Sequence, residues 1–183
     1  MATRMESRQE KQQLFRREAI RFGVLAAAVL LAATLVRTYV FSLIAVQGPS
    51  MMDTLSDKQV LAVDKTFFAF HEAKPGLIVI FRYPGSDENY VKRIIALPGD
   101  EVVIHEGVTY VNGVPRDEEY VHYRDHEDFG PYIVEEGCVF VMGDNRANSH
   151  DSRAEGAIPE DLITGRVFAV LFPAGEAHFL SMT

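Results

Sequence analysis

The chain has one cysteine, Cys138, and no tryptophan. A lone cysteine cannot close an internal disulfide, so packing and hydrogen bonding must hold the fold. Its setting, CVFVM (138–142), reads as a buried strand residue without chemistry of its own. Positive charge is also scarce, with 18 Lys+Arg against 26 Asp+Glu among 183 residues and a net charge of −8. Beyond residue 52 there is no long apolar pattern at helical period, which excludes a helical body, and there is no internal repeat. The mean hydropathy near zero excludes both a disordered acidic chain and a polytopic membrane protein. The length suits one modest domain.

The charge is an average over two unlike parts. Residues 1–37 hold seven Lys/Arg and three Glu, a net of +4, which leaves 38–183 at −12. Uncharged sequence runs from Phe22 to Val36, is broken once by Arg37, and resumes to Met52. Fifteen helical residues rise only about 22 Å, short of a hydrocarbon core of about 30 Å. A span over 19–39 closes the gap, with Arg21 and Arg37 lifting their charged heads to opposite interfaces and Tyr39 and Phe41 in the outer aromatic belt. Arg4, Arg8, Lys11, Arg16, Arg17 and Arg21 precede the run, whereas after Arg37 no basic residue occurs before Lys58. The positive-inside rule then places 1–18 in the cytoplasm and 40–183 outside. A cleaved signal peptide is the competing reading of the same features. In either case an acidic, extracytoplasmic body is a poor nucleic-acid binder.

From residue 59 the chain reads as short β-branched or aromatic runs parted by Gly, Pro, Asp and Asn. The expected strands are 59–64, 77–82, 89–96, 101–105, 107–111, 138–142 and 166–172, giving a mostly β domain. Asn112-Gly113 is the strongest hairpin signal. Residues 115–130, polar and acidic, are expected as a long exposed loop. The aromatic run TFFAF (66–70) reads as core strand packing or, less favourably, as a membrane-touching patch.

Three stretches stand apart from this pattern. Ser50 follows Gly48-Pro49, where a tight corner would expose its hydroxyl and its backbone N–H, but a serine needs a base to become a nucleophile. Lys92 lies in an apolar run between Tyr90 and Ile94, and burial lowers a lysine's pKa toward the range in which it can take a proton. Alone, each has a bland reading as a turn serine or a solvent-facing lysine. The third stretch, 143–153, packs Gly143, Asp144, Asn145, Arg146, Ser149, Asp151 and Arg153 directly after a hydrophobic strand, which implies a buried polar network of mutually satisfied groups.

Together these residues resemble the type I signal peptidases, membrane-anchored Ser/Lys proteases that remove signal peptides from exported proteins. The family's S-M-x-P-T-L box appears as 50–55, its K-R-x-x-G-x-P-G-D box as 92–100, and its G-D-N-R-x-x-S-x-D-S-R box is matched without change by 143–153. The segments 75–81 and 163–173 resemble the strands the family carries elsewhere. The resemblance implies a β-sheet protease core with Ser50 as nucleophile and Lys92 as general base. Ser149 would hydrogen-bond the lysine amine, and Asp144, Arg146, Asp151 and Arg153 would hold the surrounding network. The Ser50 backbone N–H would meet the oxyanion. Apolar walls around Val46, Met51, Tyr90 and Val91 would receive small substrate side chains. The implied partners are preprotein signal peptides and membrane lipid, with no nucleic acid, no cofactor and no metal. A bacterial cytoplasmic membrane is the expected location, with one span and the N-terminus cytoplasmic.

Three positions depart from the family pattern. Asp53 replaces a proline, Ala96 replaces a glycine, and Gly48 stands where some members place a second oxyanion-binding hydroxyl. Asp53 could perturb Lys92 if it lay close, and a catalytically impaired preprotein-binding member is the alternative function. A Ser/His/Asp hydrolase built on 149–151 fails because adjacent residues rarely reach triad geometry. His122 and His126 have helical ligand spacing but no helix start and no clear third ligand. Self-cleaving repressors also use Ser/Lys, but carry a DNA-binding half where this chain has an apolar run. With Ser50 thirteen residues beyond Arg37, removing that run would leave the nucleophile near a loose terminus, which favours a permanent anchor.

Overall fold

The computed structural model describes residues 2–83 and 85–180, with side chains from Phe15 onward. The side chains of Arg4, Arg8 and Lys11, part of the basic flank, lie outside the described residues. The chain divides into two compact units, 1–40 and 41–183.

The first unit is one helix, α1 (Ala2–Tyr39). It begins well before the expected 19, because 2–18 is rich in Arg, Glu and Gln and free of Gly and Pro, all favourable to helix. Within it, Phe15–Tyr39 forms 25 residues long and apolar enough to cross a membrane. At 1.5 Å per residue this rises about 37 Å, more than a hydrocarbon core requires. Its apolar side chains are exposed, Leu25 and Leu30 among them.

The second unit is mostly β, as expected. An eight-stranded antiparallel sheet runs β1 (Phe41–Ala45), β2 (Val60–Asp64), β11 (Ile163–Phe172), β3 (Ile78–Phe81), β4 (Tyr90–Ala96), β9 (Cys138–Met142), β10 (Ile158–Pro159). β3 pairs the first part of β11, and β12 (His178–Phe179) pairs it further along, at Ala169 and Val170. A second sheet has the order β7 (Val114–Pro115), β6 (Val108–Val111), β5 (Glu101–His105), β8 (Phe129–Ile133). Two short helices, α2 (Phe67–Phe70) and α3 (Ser152–Glu155), complete the unit.

β9 shows why some strands read as continuous apolar runs. Its Val139 and Val141 pack with Leu77, Val79, Phe81, Ile94 and Ile158. Phe140 and Met142, on the opposite face, pack with Ile95, Val102, Ile104, Val111 and Val134 under the second sheet. A strand covered on both faces cannot alternate apolar with polar. A third cluster, with Val46, Met51, Leu55, Leu61, Val63, Ile78, Ile80, Val167 and Val170, lies beneath β1, β2 and β11. The Asn112-Gly113 turn joins β6 to β7 with both residues at positive φ (53° and 74°), the type I′ signature.

Several expectations require correction. β1 escaped notice because its residues continue the uncharged run that follows Arg37. The stretch 115–130 is less of an exposed loop than its charge suggests: Glu118 and Val121 are buried, and its end enters β8. TFFAF is not a strand but α2, with Phe67 and Phe68 packed at the edge of the core and Phe70 exposed. Cys138 opens β9 half-buried rather than buried.

Candidate active site

Ser50 sits in the loop that leaves β1 and returns at β2. That loop is closed at its base by Val46 N–H donating to Gln59 O (2.8 Å) and Lys58 N–H to Val46 O (3.0 Å). Higher up, Gly48 N–H donates to Asp57 Oδ1 (3.0 Å) and Leu55 N–H to Met51 O (2.7 Å), while Met51 and Leu55 are driven into the core. The serine is thus held on a short closed loop whose apolar side chains act as its anchor.

The strand β4 brings Lys92 to this loop. Its Nζ is hydrogen-bonded to Ser50 Oγ at 2.8 Å, and the residue is only 3% exposed. Burial pulls the amine down from its ordinary value to about 8, although Asp151 and Asp144 act in the opposite direction. Asp53 is exposed and is not among the charges that act on Lys92.

The next residue, Arg93, is buried as well. It grips Asp144 through two bonds, Nε to Oδ1 at 2.9 Å and Nη2 to Oδ2 at 2.6 Å, and donates to Gly76 O at 2.8 Å. The Tyr120 ring lies 3.9 Å from its guanidinium carbon, a cation–π contact. Burial works against the Arg93 charge, but the bonds and charge of Asp144 outweigh it and raise its pKa.

The segment 143–153 does form a buried polar network, but its members do not only satisfy one another. Asp144 turns to Arg93. Arg146 turns to Glu118 through a two-bond pair (2.8 and 2.7 Å) and to Thr109 Oγ1 (2.8 Å). Within the segment, Asp151 accepts from Gly143 N–H (3.1 Å) and from Arg153 Nε (2.9 Å), and Arg153 also reaches Asp125 (2.9 Å). Burial tends to raise the Asp151 carboxyl, and the bonds and charge of Arg153 overcome it, so its pKa is lowered.

Gly143 is where this segment meets the nucleophile. A Cβ at that position would collide with Ser149 Oγ and with the Ser50 carbonyl. Alongside, Asn145 N–H donates to Ser50 O (3.0 Å) and its side-chain amide to Pro49 O (3.2 Å). Ser149 Oγ is buried without an aligned hydrogen-bond partner, though its hydroxyl is close enough to favour the Asp151 charge. The bond from Ser149 to Lys92 that the resemblance implies is therefore not made here.

A cleft of about 330 Å³ opens beside the Ser50–Lys92 pair. Val46, Met51, Tyr90 and Val91 all line it, as does the acidic rim Asp87–Glu88. Sequence reasoning missed Arg93 and Glu118, whose partners lie far away in the chain, and named Asn145 only as a member of the 143–153 network. Only Arg93, a charged residue inside an apolar run, carried a signal that could have been used. Among the described residues no group of His, Cys, Asp or Glu is placed to hold a metal ion.

The family described as signal peptidase, peptidase S26, matches residues 18–172. Signal peptidase I T of Bacillus subtilis (strain 168) is 39% identical over 168 residues, covering 86% of this chain and 87% of its own. Signal peptidase I of Bacillus licheniformis is 38% identical over 185 residues, covering 95% and 97% respectively. A crystal structure of a signal peptidase I from Enterococcus faecalis V583 aligns with a TM-score of 0.48 at 29% identity, over 52% of this chain and 97% of that one. The chain belongs to the signal peptidase family S26, and is an enzyme of the serine peptidase class that this family comprises.

Proposed function

We propose that the protein is a membrane-anchored signal peptidase that cuts exported preproteins with Ser50 as nucleophile and Lys92 as general base. The observation that carries this reading is the 2.8 Å contact between Ser50 Oγ and the buried Lys92 amine. With its pKa near 8, a useful fraction of that amine is neutral at physiological pH, as a general base requires.

In the reaction, neutral Lys92 takes the Ser50 hydroxyl proton as Oγ attacks the scissile carbonyl. The Ser50 backbone N–H meets the oxyanion. Gly48 supplies no hydroxyl, and its N–H is already committed to Asp57. Lys92 then gives its proton to the leaving amine, and water, deprotonated by the same lysine, hydrolyses the acyl-enzyme.

Substrate enters as an extended peptide. β1 pairs on one side with β2, and β4 pairs with β9 only from Arg93 onward, so both strands offer free main-chain edges to the cleft. The floor is made by Val46 and Met51, which are almost wholly buried, an apolar lining suited to small apolar side chains. That geometry favours cutting after small-x-small sequences such as Ala-x-Ala.

The helix Phe15–Tyr39 serves as a single-pass anchor in a bacterial cytoplasmic membrane. Its basic N-terminal flank faces the cytoplasm, and 40–183 lies outside. Tethering the protease to the bilayer that holds its substrates raises their effective concentration. The test is incubation of detergent-solubilised protein with an Ala-x-Ala preprotein, with the cut located by mass spectrometry. Cleavage after the second Ala, abolished by Ser50→Ala, is expected; cleavage elsewhere, or by the Ser50→Ala variant, would overturn the reading.

A further inference from the structure

Gln59 is the last residue of the loop that carries Ser50, and it is only 6% exposed, yet it takes no part in the mechanism above. A buried amide costs free energy unless its donor and its acceptor are both paired. Here both are. Gln59 Oε1 accepts from Ser56 N–H (2.9 Å), and Gln59 Nε2 donates to Glu176 Oε2 (2.8 Å), 117 residues further along the chain. Neither Gln59 nor Glu176 lines the cleft.

The backbone of the same residue closes the loop. Gln59 O accepts from Val46 N–H (2.8 Å), and Gln59 N–H donates to Ser56 O (3.2 Å). Val46 is on the limb that rises from β1 to Ser50. Ser56 is on the returning limb, next to Leu55, whose N–H donates to Met51 O (2.7 Å) beside the nucleophile. Gln59 therefore holds both limbs at once, the first by its carbonyl and the second by its N–H and its side chain.

Glu176 ties this clamp to the end of the sheet. It closes the turn Ala174–Glu176 after β11, where its N–H donates to Pro173 O (2.9 Å) and its carbonyl oxygen accepts from His178 Nδ1 (2.7 Å). His178 opens β12, which pairs with β11 at Val170 and Ala169. Leu180, just beyond, packs against the cluster that contains Val46, Met51 and Leu55. The carboxylate that receives the Gln59 amide is thus fixed to the same sheet and the same core as the nucleophile loop. An amide meets both demands of the site, an acceptor for a backbone N–H and a donor for a carboxylate, whereas a glutamate would present acceptors alone.

Resting on the Ser50–Lys92 reading, we propose that Gln59 is a positioning residue: its side chain, bound to Glu176, holds the loop so that Ser50 Oγ stays in line with Lys92 Nζ. It touches neither substrate nor the reacting atoms. The bond to Val46, which supports the cleft floor, comes from the Gln59 backbone and survives any change of side chain, so the effect falls on kcat and leaves KM in place.

The test is a reciprocal exchange in the full-length protein, with kcat and KM measured on an Ala-x-Ala preprotein at a temperature where circular dichroism shows each variant folded. Gln59→Glu keeps the acceptor for Ser56 but sets two carboxylates against each other. It should lower kcat at least about fivefold with KM within about twofold, since small misplacements of a nucleophile are costly. Glu176→Gln alone still offers an acceptor to Gln59 and should stay within about twofold of the parent. Combining the two changes restores one amide and one carboxylate with their roles exchanged, and should recover at least about half of the parent kcat. Parent kcat in Gln59→Glu, a loss confined to KM, or a double variant that regains thermal stability without kcat would each overturn the proposal. Should Gln59→Glu not fold, Glu176→Ala, at an exposed position, decides the matter: a fall in kcat of about threefold is expected, and parent kcat would overturn the proposal. Ser50→Ala and Lys92→Ala are assayed in parallel. Activity retained in either defeats the parent reading, whereas their inactivity beside a fully active Gln59→Glu defeats only this one.

Discussion

The backbone N–H of Asn145 donates to the carbonyl of Ser50 at 3.0 Å, joining the nucleophile loop to a segment 95 residues further along the chain. Beside that bond, Gly143 permits an approach that no other residue would. The position of Ser50 is therefore set by its own loop and also by the segment after β9, and changes made there should be felt at the nucleophile.

Gly143→Ala tests this directly. Its Cβ would enter space held by Ser149 Oγ and the Ser50 carbonyl, and a backbone carbonyl cannot turn aside as a flexible side chain can. A loss of about 100-fold in kcat/KM is expected, since small misplacements of reacting groups carry costs of that order. Circular dichroism should show an unchanged β signature. Activity within threefold of the parent would contradict the coupling.

The Arg93–Asp144 pair should prove structural in the strict sense. Both side chains are buried, and Asp144→Ala leaves an uncompensated guanidinium in the interior. Breaking a buried pair from one side costs about 3–5 kcal/mol. Chemical denaturation should show a loss of that size for Asp144→Ala. A loss below about 1 kcal/mol would mean that water reaches Arg93.

Lys92 should weaken the fold that it serves. Folded, it titrates near 8; unfolded, near 10.5. Between those values the unfolded chain holds a proton that the folded one lacks, so stability rises with pH across that window and is flat below it. Below about pH 8 the cost is about 3 kcal/mol, on the basis of about 1.4 kcal/mol per pH unit. Lys92→Met should accordingly be inactive yet more stable at pH 7, with the gain shrinking toward pH 10. Thermal melts at both values measure this; a destabilised Lys92→Met at pH 7 would refute it.

Asp53→Pro should change activity by no more than a few fold. The carboxylate is exposed and is not among the charges acting on Lys92, so restoring the family residue alters turn preference more than chemistry. A gain above about tenfold in kcat/KM would show that the native loop limits the enzyme.

Features that depend on neighbouring residues were legible in the sequence. The apolar runs announced β2, β3, β4, β5, β6, β9 and β11, Asn112-Gly113 announced its turn, and the order of motifs around Ser50 and Lys92 announced that they belong together. Partnerships set by strand register were not legible. Arg93 meets Asp144 because β4 and β9 are adjacent with Arg93 opposite Met142. Glu118 meets Arg146 because the chain after β7 folds back over Thr109, and nothing in the string PRDEE distinguishes that carboxylate from its solvated neighbours. β1 was hidden for a different reason: FSLIA extends an uncharged run whose earlier part already had an explanation in the membrane.

The central claim is that the Lys92 amine activates Ser50, and single-turnover cleavage of an Ala-x-Ala preprotein by Lys92→Ala tests it most directly. A fall of at least about 10³-fold relative to the parent at pH 8.5, with substrate binding retained, is the predicted result. Cleavage by Lys92→Ala within tenfold of the parent rate would contradict it.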